Sequence, residues 1–397
     1  MHNNKYVFNY ILNCMITIQN ATVLQGEEMK ALKANIVIED GRIVEISKNR
    51  VNNGKKIDAR GNVAAPAFIN SHVHIGDSIA KDVGDRKSID EIVKPPNGLK
   101  HRILEESKPS DIISSMKQSM NDMITSGTST FVDFREGGFE GIELIKEAAK
   151  DLPIRKIILG RHHSFQDEDA KKADIKKTVK KLLDSCDGIG LSGFGEIKDD
   201  IALLITKICK KQGKISAIHV AEYNQIQNDS IKATGKSEVQ KALDTDFDML
   251  VHLTVPIAND LMLVRNSRSS VVCCPRSNGI LSVGIPPLSD LFKHKINVLL
   301  GTDNIMFNSP NMLREMEYAL KVTRGYYREY FPPEEIFKMA TINAANALNL
   351  DIGCLKEGKK AEIILARQKS RDPVLSIINR TEPQDIQNMI IGDNLIF

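Results

Sequence analysis

The sequence predicts an α/β fold, a (β/α)8 TIM barrel joined to a small β-sandwich built from the two ends of the chain. Three observations predict it. Short aliphatic or β-branched runs alternate with segments of helical period from residue 63 to residue 302, and there are eight such runs. Residues of ligand type close the first, fifth, sixth and eighth runs, at the carboxyl ends of strands where a barrel gathers its functional groups. Both flanks of the chain read as short antiparallel strands instead.

In chain order, residues 16–18, 31–39 and 42–47 read as strands, with turn chemistry at Glu39-Asp40-Gly41 and Asn53-Gly54. The barrel runs are 63–70, 129–134, 154–160, 188–194, 214–219, 248–253, 270–274 and 296–302. Helical periodicity lies between or after them at 110–126, 141–152, 170–185, 201–212, 258–265 and 310–330. Strands return at 361–366 and 386–391, followed by the tight turn Gly392-Asp393-Asn394. The expected domains are therefore 15–62 together with 353–397 as the β-sandwich, and 63–352 as the barrel. An open doubly wound sheet reads similarly, but its ligands would gather at one switch point and not at the ends of four separated strands.

The 397 residues suit one large barrel with a satellite domain. The net charge of +3 arises from 54 basic and 51 acidic residues without a concentrated basic block, so a small-molecule substrate is expected and nucleic acid is not. The lysines at 171, 172, 176, 177, 180 and 181 read as a solvated helix face. Six cysteines include Cys273-Cys274, which point to opposite faces of a strand and cannot pair, so a reducing compartment is expected. No apolar run has the length of a membrane span, and Met1-His2-Asn3-Asn4-Lys5 lacks the order of a signal peptide, which together point to the cytoplasm and to no membrane partner. Residues 1–14 read as an extension or an upstream start, and a homo-oligomer is left open.

The most informative stretch is Asn70-Ser71-His72-Val73-His74. Two histidines one residue apart on an extended strand project the same way, so both imidazoles can reach one ion. Such a pair alone is more often solvated or satisfied than ligating. It gains weight from His219, His252 and Asp303, each closing a later strand-like run. His2, His101 and His294 have no strand before them and read as solvated, while His162-His163 follow the third run and stay open. Three imidazoles and one carboxylate suit Zn2+ or Fe2+ and leave a position for water. Taken singly, Asp303 reads as a helix N-cap before Asn304, Glu222 as a surface charge, and Arg276-Ser277-Asn278 as turn chemistry as readily as substrate contact. Arg135, Glu136, Arg161, His162 and His163 stand after the second and third runs, where they could meet a ribose or a carboxylate.

The set His72-x-His74, His219, His252 and Asp303, between β-rich flanks, resembles the amidohydrolase superfamily, in particular its cytosine, guanine and S-adenosylhomocysteine deaminase branch. The resemblance runs from residue 15 over nearly the whole chain. His219-Val220-Ala221-Glu222 is similar to the branch's histidine followed three residues later by glutamate, Cys274-Pro275-Arg276-Ser277-Asn278 to its Cys-Pro-x-Ser-Asn loop, and Gly301-Thr302-Asp303 to its strand-eight ending. The resemblance implies one divalent transition metal per chain, Zn2+ foremost and Fe2+ as the alternative, held by His72, His74, His219 and Asp303. It further implies that Asp303 takes a proton from the attacking water, that His252 orients the hydroxide without being a full ligand, and that Glu222 shuttles a proton.

Glu196, just after the fourth run, competes with that scheme, since other amidohydrolase branches place a residue there that bridges two metals; a mononuclear site is preferred because bridging would leave Glu222 without a role. The implied reaction is hydrolytic deamination of an amino-substituted heterocycle, a purine or pyrimidine base or nucleoside. Deamination needs a proton at the ring nitrogen beside the attacked carbon, because an aromatic amine is otherwise a poor electrophile. With Arg135, Arg161 and Arg276 expected at the barrel mouth, an adenine nucleoside or S-adenosylhomocysteine is favoured over a bare base. Removal of chloride from a triazine, opening of a cyclic amide, and a non-catalytic metal-binding scaffold subunit are the alternatives. The loop 77–102, with Pro95-Pro96-Asn97-Gly98, is expected to cover the pocket.

Overall fold

The computed structural model describes residues 15–49, 54–88, 91–92, 98–167 and 169–397. The expectations for residues 1–14, His2, Asn53 and Pro95 to Asn97 fall outside the described residues.

The amino-terminal strands are β1 (Ile16–Gln25), β2 (Lys30–Glu39), β3 (Arg42–Ser47), β4 (Lys55–Asp58) and β5 (Asn62–Pro66). The barrel strands are β6 (Phe68–His74), β7 (Thr128–Arg135), β8 (Arg155–Gly160), β9 (Gly188–Leu191), β10 (Ile215–Val220), β11 (Met249–His252), β12 (Ser270–Cys273), β13 (Val298–Leu300) and β14 (Asp303–Asn304). The chain then returns through β15 (Glu362–Arg367), β16 (Ile386–Ile391) and β17 (Asn394–Leu395).

The two flanks meet in one mixed eight-stranded sheet, ordered β17-β16-β15-β5-β1-β2-β3 with β4 beside β1. The join is antiparallel pairing of β5 with β15, from Val63 opposite Ala366 to Pro66 opposite Ile363. Ile18, Ile36, Ile38, Ile43, Ile363, Leu365 and Ile390 form its core. This corrects one expectation: the apolar run 63–70 is not a single barrel strand. Its first part is β5 in the terminal sheet, the chain crosses at Ala67, whose N–H donates to Glu362 O at 2.9 Å, and only β6 enters the barrel. Both halves are buried throughout, so hydrophobicity carries no mark of the crossing.

In the barrel sheet every strand pairs in parallel with its neighbour, in the order β13-β12-β11-β10-β9-β8-β7-β6-β14. β13 and β14 are two pieces of one run. The first lies on β12 and the second on β6, which closes the (β/α)8 barrel. Ile69, Val132, Phe134, Leu159, Ala217, Val251, Val272 and Leu299 fill the interior. Helices cover the outside: Pro109–Thr125, Gly138–Ala148, Lys172–Leu183, Asp199–Lys211, Asp260–Arg265 and Met312–Tyr327 all overlap the segments of helical period. The sequence reading passed over Asn224–Thr234 and Pro275–Ile280. The first buries only Gln227 and Ser230 and so shows no apolar stripe, and the second is built from turn-type residues. The lysine run on Lys172–Leu183 is exposed, and no helix of the described residues is long and apolar enough to cross a membrane.

Gly301, in the step between β13 and β14, lets the closing strand approach β6. A Cβ there would stand 2.7 Å from the Cβ of His72 and 2.8 Å from its backbone nitrogen, and backbone cannot swing aside. Gly301→Ala is therefore expected to cost about 1–3 kcal/mol of stability through overpacking, and to displace His72. Thermal unfolding together with the cation content of the purified variant checks this; a variant matching the parent in both would show that the strands can separate without penalty.

Candidate active site

Strand geometry brings the ligand-type residues together. His72 and His74 leave β6 on the same side, with ring centroids 4.9 Å apart. His219 on β10 lies 4.8 Å from the His72 ring and 5.6 Å from the His74 ring. His252 ends β11, with its ring 5.1 Å from that of His219. Asp303 opens β14. His252 and Asp303 adopt left-handed backbone, φ +77° and +57°, a conformation that side chains with a Cβ tolerate only where surrounding structure holds it. Phe134 underlies the cluster, its ring edge-on to His72 at 4.3 Å.

One ligand atom each from His72, His219, His252 and Asp303 lies within 4.8 Å of the others. His74 joins from the side: its Nε2 is 3.5 Å from Asp303 Oδ1, the oxygen that His72 Nε2 meets at 3.0 Å. The other carboxylate oxygen, Oδ2, accepts from Ser277 Oγ at 2.5 Å. His219 Nδ1 faces the carbonyl of Leu191 at 2.8 Å. A carbonyl only accepts, so the proton stands on Nδ1 and the Nε2 lone pair is free for a cation. Asn278 Nδ2 stands 3.2 Å from His252 Nδ1 and sets that ring's rotation.

Electrostatics agree with the geometry. Burial lowers the pKa of all four imidazoles, most strongly for His74 and His219, which keeps them neutral. Burial pushes the Asp303 carboxyl upward, but the hydrogen bond from His72 and the electrostatic pull of the surrounding imidazoles outweigh it and hold the group well below the usual carboxylate range. Neutral imidazoles converging with an ionised carboxylate are the protonation states that bind a divalent cation. The residues present fit a transition-metal ion.

The cluster opens into a cavity of about 470 Å³ lined by His74, His219, His252 and Asp303 together with Glu222, Lys100, Glu136 and Arg161. Glu222 Oε2 is 3.7 Å from His252 Nε2, and its side chain is only 15% exposed. Burial, and then the charge of Asp303, push its carboxyl up to about 8, against the pull of Lys100. On the cavity wall Glu136 Oε1 takes both Lys100 Nζ and Arg161 Nη2 at 2.6 Å, and Lys100 also reaches Asp77 Oδ2 at 3.3 Å. Glu196 lines the cavity, accepts from Gln166 Nε2 at 2.7 Å and faces Arg161 at 4.0 Å, but it does not belong to the ligand group.

The remaining residues named from sequence fall in different places. Arg161 lines the cavity; Arg135 does not, because it is buried with its Nε donating to Glu136 O at 3.2 Å and its guanidinium packed against Gly76 and Met116. Arg276 does not line it either, since it turns to Ser309 O at 3.0 Å and to Glu315 at 3.7 Å. Ser277 and Asn278 are buried and hold Asp303 and His252. His162 lines an adjoining depression with Phe165, and its Nδ1 bonds Ser164. Lys100, Phe194, Tyr223, Ile226 and Leu281 line the cavity and were missed. Lys100 lies within the segment 77–102 expected to cover the pocket, but it is one of several lysines there and no local pattern singles it out.

Comparison with known proteins bears on the family and the fold. The sequence profile of the amidohydrolase family matches residues 63–396. The chain is 52% identical over 382 residues to a protein of Methanothermobacter thermautotrophicus named "Putative aminohydrolase", covering 96% of this chain and 99% of that one. It is 26% identical over 417 residues to the 5-methylthioadenosine/S-adenosylhomocysteine deaminase of Pyrococcus abyssi, covering 97% and 94%. Among solved structures, atrazine chlorohydrolase from Arthrobacter aurescens complexed with zinc shares the fold, with a TM-score of 0.83 at 19% identity over 96% of this chain and 95% of that one.

Proposed function

The chain belongs to the amidohydrolase family and is a hydrolase acting on carbon–nitrogen bonds, and on that footing we propose that it deaminates the adenine ring of an uncharged nucleoside with one bound divalent cation, zinc foremost. The observation that carries this reading is Glu222, a carboxyl placed on the cavity wall beside His252 and held protonated near neutral pH by burial. A structural metal site needs no such acid. The likeness to a methylthioadenosine/S-adenosylhomocysteine deaminase supports the adenine ring.

His72, His74, His219 and Asp303 would hold the cation. When bound, it supplies Lewis acidity that brings the pKa of water toward neutrality. Asp303, ionised and steadied by Ser277, accepts a proton from the attacking water. His252 is rotationally set by Asn278 so that Nε2 faces Glu222 and the reacting centre. Glu222 gives its proton to the ring nitrogen beside the attacked carbon, which makes that carbon electrophilic. The proton taken up by Asp303 then goes to the exocyclic amine, which leaves as ammonia, and Glu222 recovers its proton from the hydroxyl left on carbon.

Of the two partners expected for the barrel-mouth arginines, ribose hydroxyls or a carboxylate, the cavity wall favours the hydroxyls. Arg161 is neutralised by Glu136, Lys100 by Glu136 and Asp77, and Lys241 by Asp199 at 2.9 Å. At Arg161 and Lys100 a substrate carboxylate would have to compete with the buried Glu136 and Asp77, whereas ribose hydroxyls can donate to the carboxylates without breaking a pair. Adenosine, 5′-deoxyadenosine and methylthioadenosine are therefore expected to exceed S-adenosylhomocysteine and free adenine, cytosine and guanine in kcat/KM, measured by ammonia release. If S-adenosylhomocysteine were best and Arg161→Ala removed its advantage, the neutral-tail reading would be wrong. If none of these amines released ammonia while a chlorotriazine released chloride, the deaminase reading itself would be wrong.

A further inference from the structure

We propose that Glu238 is the positioning residue that aims Glu222, by holding Ala221 in a left-handed turn at the end of β10; this rests on the reading of Glu222 as the proton donor. On an extended strand, residues three apart point to opposite faces, so a straight continuation of β10 could not present both His219 and Glu222 to one cavity. Both line it. The chain achieves this at Ala221, whose φ is +50°, an unfavourable value for a residue with a Cβ. The conformation is clamped from both sides. Its N–H donates to Glu238 Oε2 at 2.9 Å, and its carbonyl accepts from Thr254 N at 2.9 Å and Val255 N at 3.0 Å.

Glu238 is itself locked. Its backbone N–H donates to Gln227 Oε1 at 2.9 Å, Gln227 Nε2 reaches Asp260 Oδ2 at 3.1 Å, and Ser237 Oγ donates to Asp260 Oδ1 at 2.5 Å. These residues are buried, and they come from Asn224–Thr234, Glu238–Asp244 and the start of Asp260–Arg265, the helices that follow β10 and β11. The network therefore ties the proton donor's loop to the framework that carries His252. A carboxyl at this buried place serves no packing purpose that a leucine would not serve better. In this place it accepts the Ala221 N–H, which a strand partner does not take at the turn.

The test is a double-mutant cycle on the cation-loaded full chain, with amide hydrogen exchange over residues 215–223 as a readout independent of turnover. Glu238→Ala is expected to lower kcat roughly 10-fold to 10²-fold with KM changed little and cation content unchanged, as a small misplacement of a reacting group does. Exchange at Ala221 should rise, and Glu238→Gln, which keeps an accepting oxygen, should recover most of both losses. In a Glu222→Gln background Glu238→Ala should cost almost nothing more, because it acts through Glu222. Equal losses in both backgrounds, or unchanged exchange at Ala221, would overturn the proposal. Failure of the parent to release ammonia from any amine would instead overturn the proposed reaction, and the exchange measurement would still decide whether Glu238 holds the turn.

Discussion

Glu222→Gln is expected to lower turnover by roughly 10²-fold or more while fold and cation content stay those of the parent, the range usual for a lost general acid–base group. Glutamine has the shape of the neutral acid and can still hydrogen-bond within the cavity, but it has no proton to give. The loss therefore isolates the transfer from the contact. The same residue sets a pH dependence. Its carboxyl is raised from 4.5 to about 8, so the competent protonated form is present below that value and is lost as pH rises through it. The positive charge of a bound dication favours the carboxylate, so the descending limb of kcat/KM should lie no higher than about pH 8. Near-parental turnover in Glu222→Gln, or a rate that keeps rising well past the limb, would leave the ring nitrogen without a donor from this chain.

Asp303→Ala and His72→Ala are expected to remove both the cation and the activity, read as metal per chain by elemental analysis alongside ammonia release. Asp303 supplies the negative donor of the cluster, and its Oδ1 is the point where His72 and His74 converge, at 3.0 and 3.5 Å. Without it, buried imidazoles alone must balance a dication in a poorly solvated site. Ser277→Ala is the graded control, since Ser277 only orients the carboxylate through its hydroxyl. Loss of such an outer partner typically costs about 10–100-fold in metal affinity, so that variant should load at high zinc and lose the ion on dilution. One ion per parent chain is the expected stoichiometry. Two tightly held ions, the second lost in Glu196→Ala, would replace the single-ion site with a bridged pair.

Much of the fold and the site was legible because their signals are local. The alternation of aliphatic runs with helical period showed the barrel, and His72 and His74, His219, His252 and Asp303 each sit at the end of such a run, where side-chain direction follows from strand geometry. The substrate wall was not legible. Arg135 and Arg161 each follow directly on a strand-like run of the sequence, 129–134 and 154–160, yet one is packed against Gly76 and Met116 and the other faces the cavity. Residue type and spacing are the same for both; only what packs around them differs. Lys100 was invisible for the same reason, as was Glu238, which stands in a stretch that reads as ordinary helix start.

By itself the sequence determined the barrel and the strand-end positions of the metal-type residues, because periodicity and strand direction depend on neighbours in the chain; Glu222 became a candidate only through the resemblance of His219-Val220-Ala221-Glu222 to a family motif. Only the tertiary structure decided that the run 63–70 divides between two sheets, that Arg161, Lys100 and Lys241 are already paired, and that Ala221 turns left-handed under Glu238. Those outcomes depend on which distant groups come to share a buried volume, and burial changes the cost of an unpaired charge or N–H far more than any local preference does.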